Sequence, residues 1–117
     1  MSWYAAALPV QPGKEGEASK RGEGFQRFLT EYLQLNKAAA LKRHLEFLQE
    51  TPQGATMIVL YEFEGGDTSK LLRRFTESEY DQWWTKHVHD VHGLDLTEAP
   101  PLPKLTLVHE WKAPGVS

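Results

Sequence analysis

Residues 83–96, WWTKHVHDVHGLDL, put three of the chain's five histidines, His87, His89 and His92, within six residues behind a tryptophan pair. Imidazoles at that density serve metal ligation, proton transfer near neutral pH, or a polar seat within an aromatic core. Helix geometry separates these uses. With Tyr80 as origin and about 100° per residue, Trp84 falls near ~40°, His87 near ~340°, Val91 near ~20°, Val88 near ~80° and Trp83 near ~300°. Together with Tyr80 they form one broad apolar face. His89, near ~180°, and His92, near ~120°, fall towards the opposite side.

A helix chelates a metal through residues at i and i+3 or i+4 on one side, and His87 points away from both other histidines. Only His89 and His92 are neighbours, with Asp95 beyond the turn as the nearest further ligand. The pattern reads against a metal centre, and no metal or other cofactor is expected. His87, set among aromatics, is expected to be buried and neutral. Such a ring either exchanges a proton with a substrate or is a core histidine bonded to backbone or to a tyrosine hydroxyl. His109 alternates with Leu107 and Trp111 and faces either a pocket or an interface. His44 lies on or beside a strand. The candidate catalytic residues are thus His87 and His109. Tyr32, Tyr61, Tyr80, Trp83, Trp84 and Val91 are the candidates for shaping a substrate pocket. An aromatic content of 11% is enough to line one for a flat organic ligand.

A single domain of residues 1–117 must position these groups. The chain is 40% hydrophobic and 25% charged, an ordinary globular composition. Its net charge of −3 and its two-residue basic clusters, Lys42-Arg43 and Arg73-Arg74, speak against nucleic acid. The chain has no cysteine, which excludes thiol catalysis and disulfides. No apolar stretch is long enough for a membrane helix, so a cytoplasmic protein with no membrane partner is expected.

Residues 3–10 read as a short strand, followed by a glycine-rich loop to residue 24. Phe25, Phe28, Leu29, Tyr32 and Leu33 then follow helical spacing, with a break expected near Asn36. HLEFLQE and ATMIVLYEFE flank the turn TPQG and read as a hairpin, although Leu45 and Leu48 also fit a helix. A helix is expected from residue 68 or 69, interrupted near Thr76, restarting at Glu77 or Ser78 and closed by Gly93. TEAPPLP is a stiff linker into LTLVHEW, which alternates as a strand with Leu105, Leu107, His109 and Trp111 on one face.

The order β-α-β-β-α-β is that of an α+β, ferredoxin-like fold: a four-stranded antiparallel sheet with both helices on one face. Its other face is bare in a monomer. LPVQPGK, the hairpin LEFLQETPQGATMIVLYEFEG, YDQWWTKHVHDVHGLDL and the final LTLVHEW together resemble the dimeric α+β barrel superfamily, in its antibiotic-biosynthesis-monooxygenase-like branch. The resemblance is closest to small members with a W…VHG.DL helix end. It implies a homodimer with sheets packed face to face. It also implies a pocket between sheet and helices and, by analogy, a cofactor-independent oxygenase, cyclase or isomerase on a small hydrophobic, aromatic or polyketide-like compound. A non-catalytic binding protein and a structural dimerisation module are the alternatives.

Overall fold

A computed structural model describes residues 2–64, 78–98 and 105–115. The helical start expected at residue 68 and most of the proline linker lie outside the described residues. Strand β1 (Ser2–Pro9) leads into three short helices, α1 (Glu15–Ser19), α2 (Arg21–Arg27) and α3 (Leu29–Ala38). The hairpin β2 (Leu41–Thr51) and β3 (Gly54–Phe63) follows, then helix α4 (Glu79–His92) and a 3-10 turn, Leu96–Glu98. The fold is α+β with a three-stranded antiparallel sheet in the order β1-β3-β2.

The turn residues settle the hairpin. Thr51 pairs with Gly54 across Pro52 and Gln53, and the Thr51 hydroxyl donates to the Gly54 carbonyl at 3.0 Å. β3 alternates strictly, burying Ala55, Met57, Val59, Tyr61 and Phe63 on the helix side. β2 carries one irregularity. Leu41 pairs with Phe63 but Arg43 pairs with Glu62, so Lys42 is an extra residue in the ladder. An extra residue flips every later side chain to the other face. Beyond it His44, Glu46 and Leu48 lie opposite Tyr61, Val59 and Met57 on the inner row, and Leu45 and Phe47 turn outward.

The helices depart from the sequence reading in two places. The glycine-rich segment expected as loop holds α1 and the start of α2, and the break falls at Phe28 (φ −111°, ψ 39°) rather than at Asn36. That break turns Leu29 and Leu33 out to solvent, while Phe25, Phe28, Tyr32 and Leu35 pack inward. α4 forms as its caps dictate. Ser78 Oγ accepts from the Asp81 amide at 3.0 Å, and Gly93 closes the helix at φ 72°.

Residues 105–111, expected as a fourth strand, pair with no described strand of the protomer. Alternation supplies a strand's side-chain pattern, but a strand also needs a neighbouring ladder to satisfy its backbone. Among the described residues the sheet therefore has three strands rather than the four expected.

α2 meets α4 at a glycine. A Cβ added at Gly24 would stand 1.9 Å from Trp83 Cζ2, inside the ring's own volume. Alanine gains about 1 kcal/mol over glycine in helix propensity, but overpacking a rigid indole costs about 1–3 kcal/mol or more. Gly24→Ala is expected to lower the urea midpoint with unchanged slope. An equal or higher midpoint would show that the α2–α4 contact is loose.

Candidate functional site

The inner row of β2 faces a cavity of about 370 Å³ beneath α1, α2 and α3. Ala18, Phe25, Leu48 and Met57 supply its apolar wall, and Arg21, Tyr32, His44 and Glu46 its polar one. The polar wall is one connected network whose centre is Arg21, 3% exposed.

Arg21 is a permanent donor, so each group around it must accept. Its Nε donates to His87 Nε2 at 3.0 Å. One terminal nitrogen pairs with Glu46 Oε1 and the other with His92 Nε2, and the guanidinium lies 5.2 Å from the centre of the Trp84 ring. Both imidazoles therefore present lone pairs at Nε2 and carry their proton on Nδ1. His92 Nδ1–H donates in turn to the Pro9 carbonyl at 2.8 Å, which ties α4 to the end of β1.

Glu46 turns its second oxygen to His44, with Oε2 3.0 Å from Nε2, a close polar contact not aligned as a hydrogen bond. His44 Nδ1 lies 2.7 Å from the Tyr32 hydroxyl, and its ring stacks on Tyr61 at 4.5 Å. Burial alone would raise the Glu46 carboxyl. His44 and Arg21 together outweigh it and hold the group ionised, below its ordinary range. An ionised Glu46 favours the proton on His44 Nε2, which leaves Nδ1 to accept from Tyr32.

Of the residues singled out by sequence, Tyr32 lines the cavity. His87 is partly buried and stacks on Trp83 (ring centres 5.2 Å apart) and Trp84 (6.1 Å), with its lone pair taken by Arg21. Tyr80, Trp84 and Val91 are buried core residues, Trp83 covers Gly24, and Tyr61 backs His44. His109 is exposed on the unpaired segment. His92 departs from its expected polar side: it is 5% exposed and bonded at both nitrogens. His89 is on the solvent side as expected.

Arg21, Glu46 and His44 were not marked as site residues by sequence. The period-2 row His44, Glu46, Leu48 was the available signal, and the extra residue at Lys42 is what turns it inward. Among the described residues no three His, Asp or Glu side chains converge as a metal site. No described helix is long and apolar enough to cross a membrane. Comparison with protein-family models, curated proteins and solved structures finds no match.

Burial, then Arg21, then His92 push His87 down from 6.5 to about 4. His92 is lowered too: burial lowers it, the Pro9 carbonyl pulls it up, and Arg21 lowers it again. The unfolded chain then takes up these protons at higher pH than the folded one, so stability is complete above 6.5. It falls as pH drops towards about 4 and levels below that as far as His87 is concerned. Urea midpoints measured across that window are expected to fall, and less steeply for His87→Gln. A flat profile would mean the imidazoles are not held neutral.

The charge pair gives a second expectation. Arg21→Met leaves Glu46 buried without its cation and should cost about 3–5 kcal/mol, whereas Arg21→Met with Glu46→Leu should recover much of that loss. A double variant no more stable than the single one would place the weakness in packing rather than charge.

Proposed function

We propose that this chain is a small cofactor-independent enzyme that moves a proton on a small, largely apolar compound, aromatic or polyketide-like, held between sheet and helices. The observation that supports it is the file Tyr32, His44 and Glu46 along one cavity wall, backed by Arg21. As the Tyr32 oxygen takes a proton from the substrate, His44 Nδ1 takes the hydroxyl proton, and Glu46 stabilises the imidazolium that forms. Return of the proton to a different substrate atom completes an isomerisation or a ring closure, and atoms and charge balance within the chain. The poorly aligned His44–Glu46 contact fits a ligand-free site, where such bonds tighten only with substrate bound. In this reading His87 holds Arg21 in place and does not itself exchange the proton.

The same reading places the protein in the cytoplasm as a homodimer of ferredoxin-like protomers. The outer sheet face supports it. Leu45, Phe47 (53% exposed) and Trp3 (48% exposed) all lie on the side the helices leave uncovered. Apolar surface of that kind marks an association site.

The alternative is a binding protein with the same pocket and no chemistry. A library of neutral aromatic and polyketide-like compounds, screened by quenching of tryptophan fluorescence and by product analysis, separates the two. On a turned-over compound, Tyr32→Phe and His44→Asn are each expected to lower kcat about 10²–10⁴-fold with binding changed far less. Full turnover in both variants defeats the proton relay. Saturable binding with no product from the wild type across the library favours the binding protein.

A further inference from the structure

We infer that residues 105–112 form an arm that one copy of the chain lends to another, lying as a fourth strand against the open edge of the second copy's β1. This rests on the homodimer proposed above and specifies how its two copies interlock.

The arm has a strand's sequence without a strand's partners. Its two rows, Leu105, Leu107, His109 and Trp111 against Thr106, Val108 and Glu110, are both in water, with Val108 91% and Leu107 and Trp111 75% exposed. A strand covered on neither face and paired on neither edge has nothing to offset the entropy of ordering it. The sheet meanwhile ends at β1, which pairs with β3 on one side and with no described residue on the other. An edge of that kind presents a row of unpaired amides and carbonyls that templates another strand. β1 has eight residues, and the arm matches it in length.

A second copy fits this edge better than the chain's own arm. Pro100, Pro101 and Pro103 precede the arm in sequence, and consecutive prolines stiffen a chain and resist a tight reversal onto its own sheet. The free edge and the free arm are carried by every copy, so a two-fold axis satisfies both at once, an isologous exchange that closes at the dimer. Each arm holds on the order of 500 Å² of exposed apolar surface, up to roughly 200 Å² of it on Trp111. Two arms with the two surfaces that receive them reach the roughly 1,200–2,000 Å² of a stable interface.

The chain has no cysteine, so introduced thiols report contacts cleanly. Val108→Cys marks the arm and Ala7→Cys marks β1, and a flexible bis-maleimide with a spacer of about 25 Å, the reach of an eight-residue strand, bridges them whatever the register. Unfolding and refolding the two single variants together is expected to give a linked pair, joined between the arm peptide of one chain and the β1 peptide of the other. Removing residues 105–117 is expected to raise the dimer dissociation constant about a hundredfold or more. A chain carrying both cysteines that links only within itself, with no product from the mixture, overturns the exchange. So does a truncated chain that dimerises as tightly as the full one. Either result leaves the face-to-face homodimer standing, whereas a full-length chain that sediments as a lone protomer removes both.

Discussion

One guanidinium, out of water, organises this protein. A buried permanent cation costs several kcal/mol unless acceptors surround it, and Arg21 collects its acceptors from elements far apart in sequence. Glu46 comes from β2, His87 and His92 from α4, and the π face of Trp84 lies beneath. His92 passes the connection on to the end of β1 through Pro9. A single side chain on a seven-residue helix thus fixes how the helices sit on the sheet. It also forces the chemistry of its neighbours: facing a cation that cannot give up its proton, both imidazoles stay neutral and point lone pairs inward. The histidine-rich helix end is the complement of an arginine.

The cavity inherits its polarity from that constraint. His44 and Arg21 together keep the Glu46 carboxylate ionised, Arg21 on one oxygen and His44 beside the other, and His44 in turn orients Tyr32. Positive and negative charges cancel within the wall, which suits a neutral ligand. The apolar side, Phe25, Leu48 and Met57, supplies no further hydrogen bonds. Pocket geometry of this kind, few polar groups on an apolar ground, is what gives small-molecule sites their orientation.

Much of the fold was legible because local chemistry decided it. Ser78 and Gly93 bracket α4, the turn TPQG makes the hairpin, and the apolar run of β3 makes the central strand. The cavity wall was hardly legible: of the residues singled out by sequence only Tyr32 lines it, and the helical row that drew attention to Tyr32 is broken at Phe28. Tyr80, Trp84 and Val91 were placed on the right face of α4, but that face packs into core rather than into the cavity. His92 was misplaced because a helix wheel describes one helix alone, and an arginine reaching in from α2 makes a buried site on the side the wheel assigns to water. Arg21 itself, within KRGEG, looks like any solvated basic residue. Its burial comes from tertiary contacts that no local pattern encodes.

The extra residue at Lys42 joins the site to the surface behind it. Up to Leu41, β2 buries the row that would have continued as Arg43, Leu45 and Phe47; past Lys42 it buries His44, Glu46 and Leu48 instead. Without the bulge the inner row would carry Leu45 and Phe47, with Arg43 at its start, in place of His44, Glu46 and Leu48. Arg21 would then have no carboxylate to meet. With it, two large apolar side chains are driven outward onto a sheet face that no described helix covers. The polar wall inside and the apolar face outside are therefore one backbone decision, made at one residue. A chain that places charge in its interior this way displaces hydrophobic surface to its exterior, where water meets what would otherwise have been core.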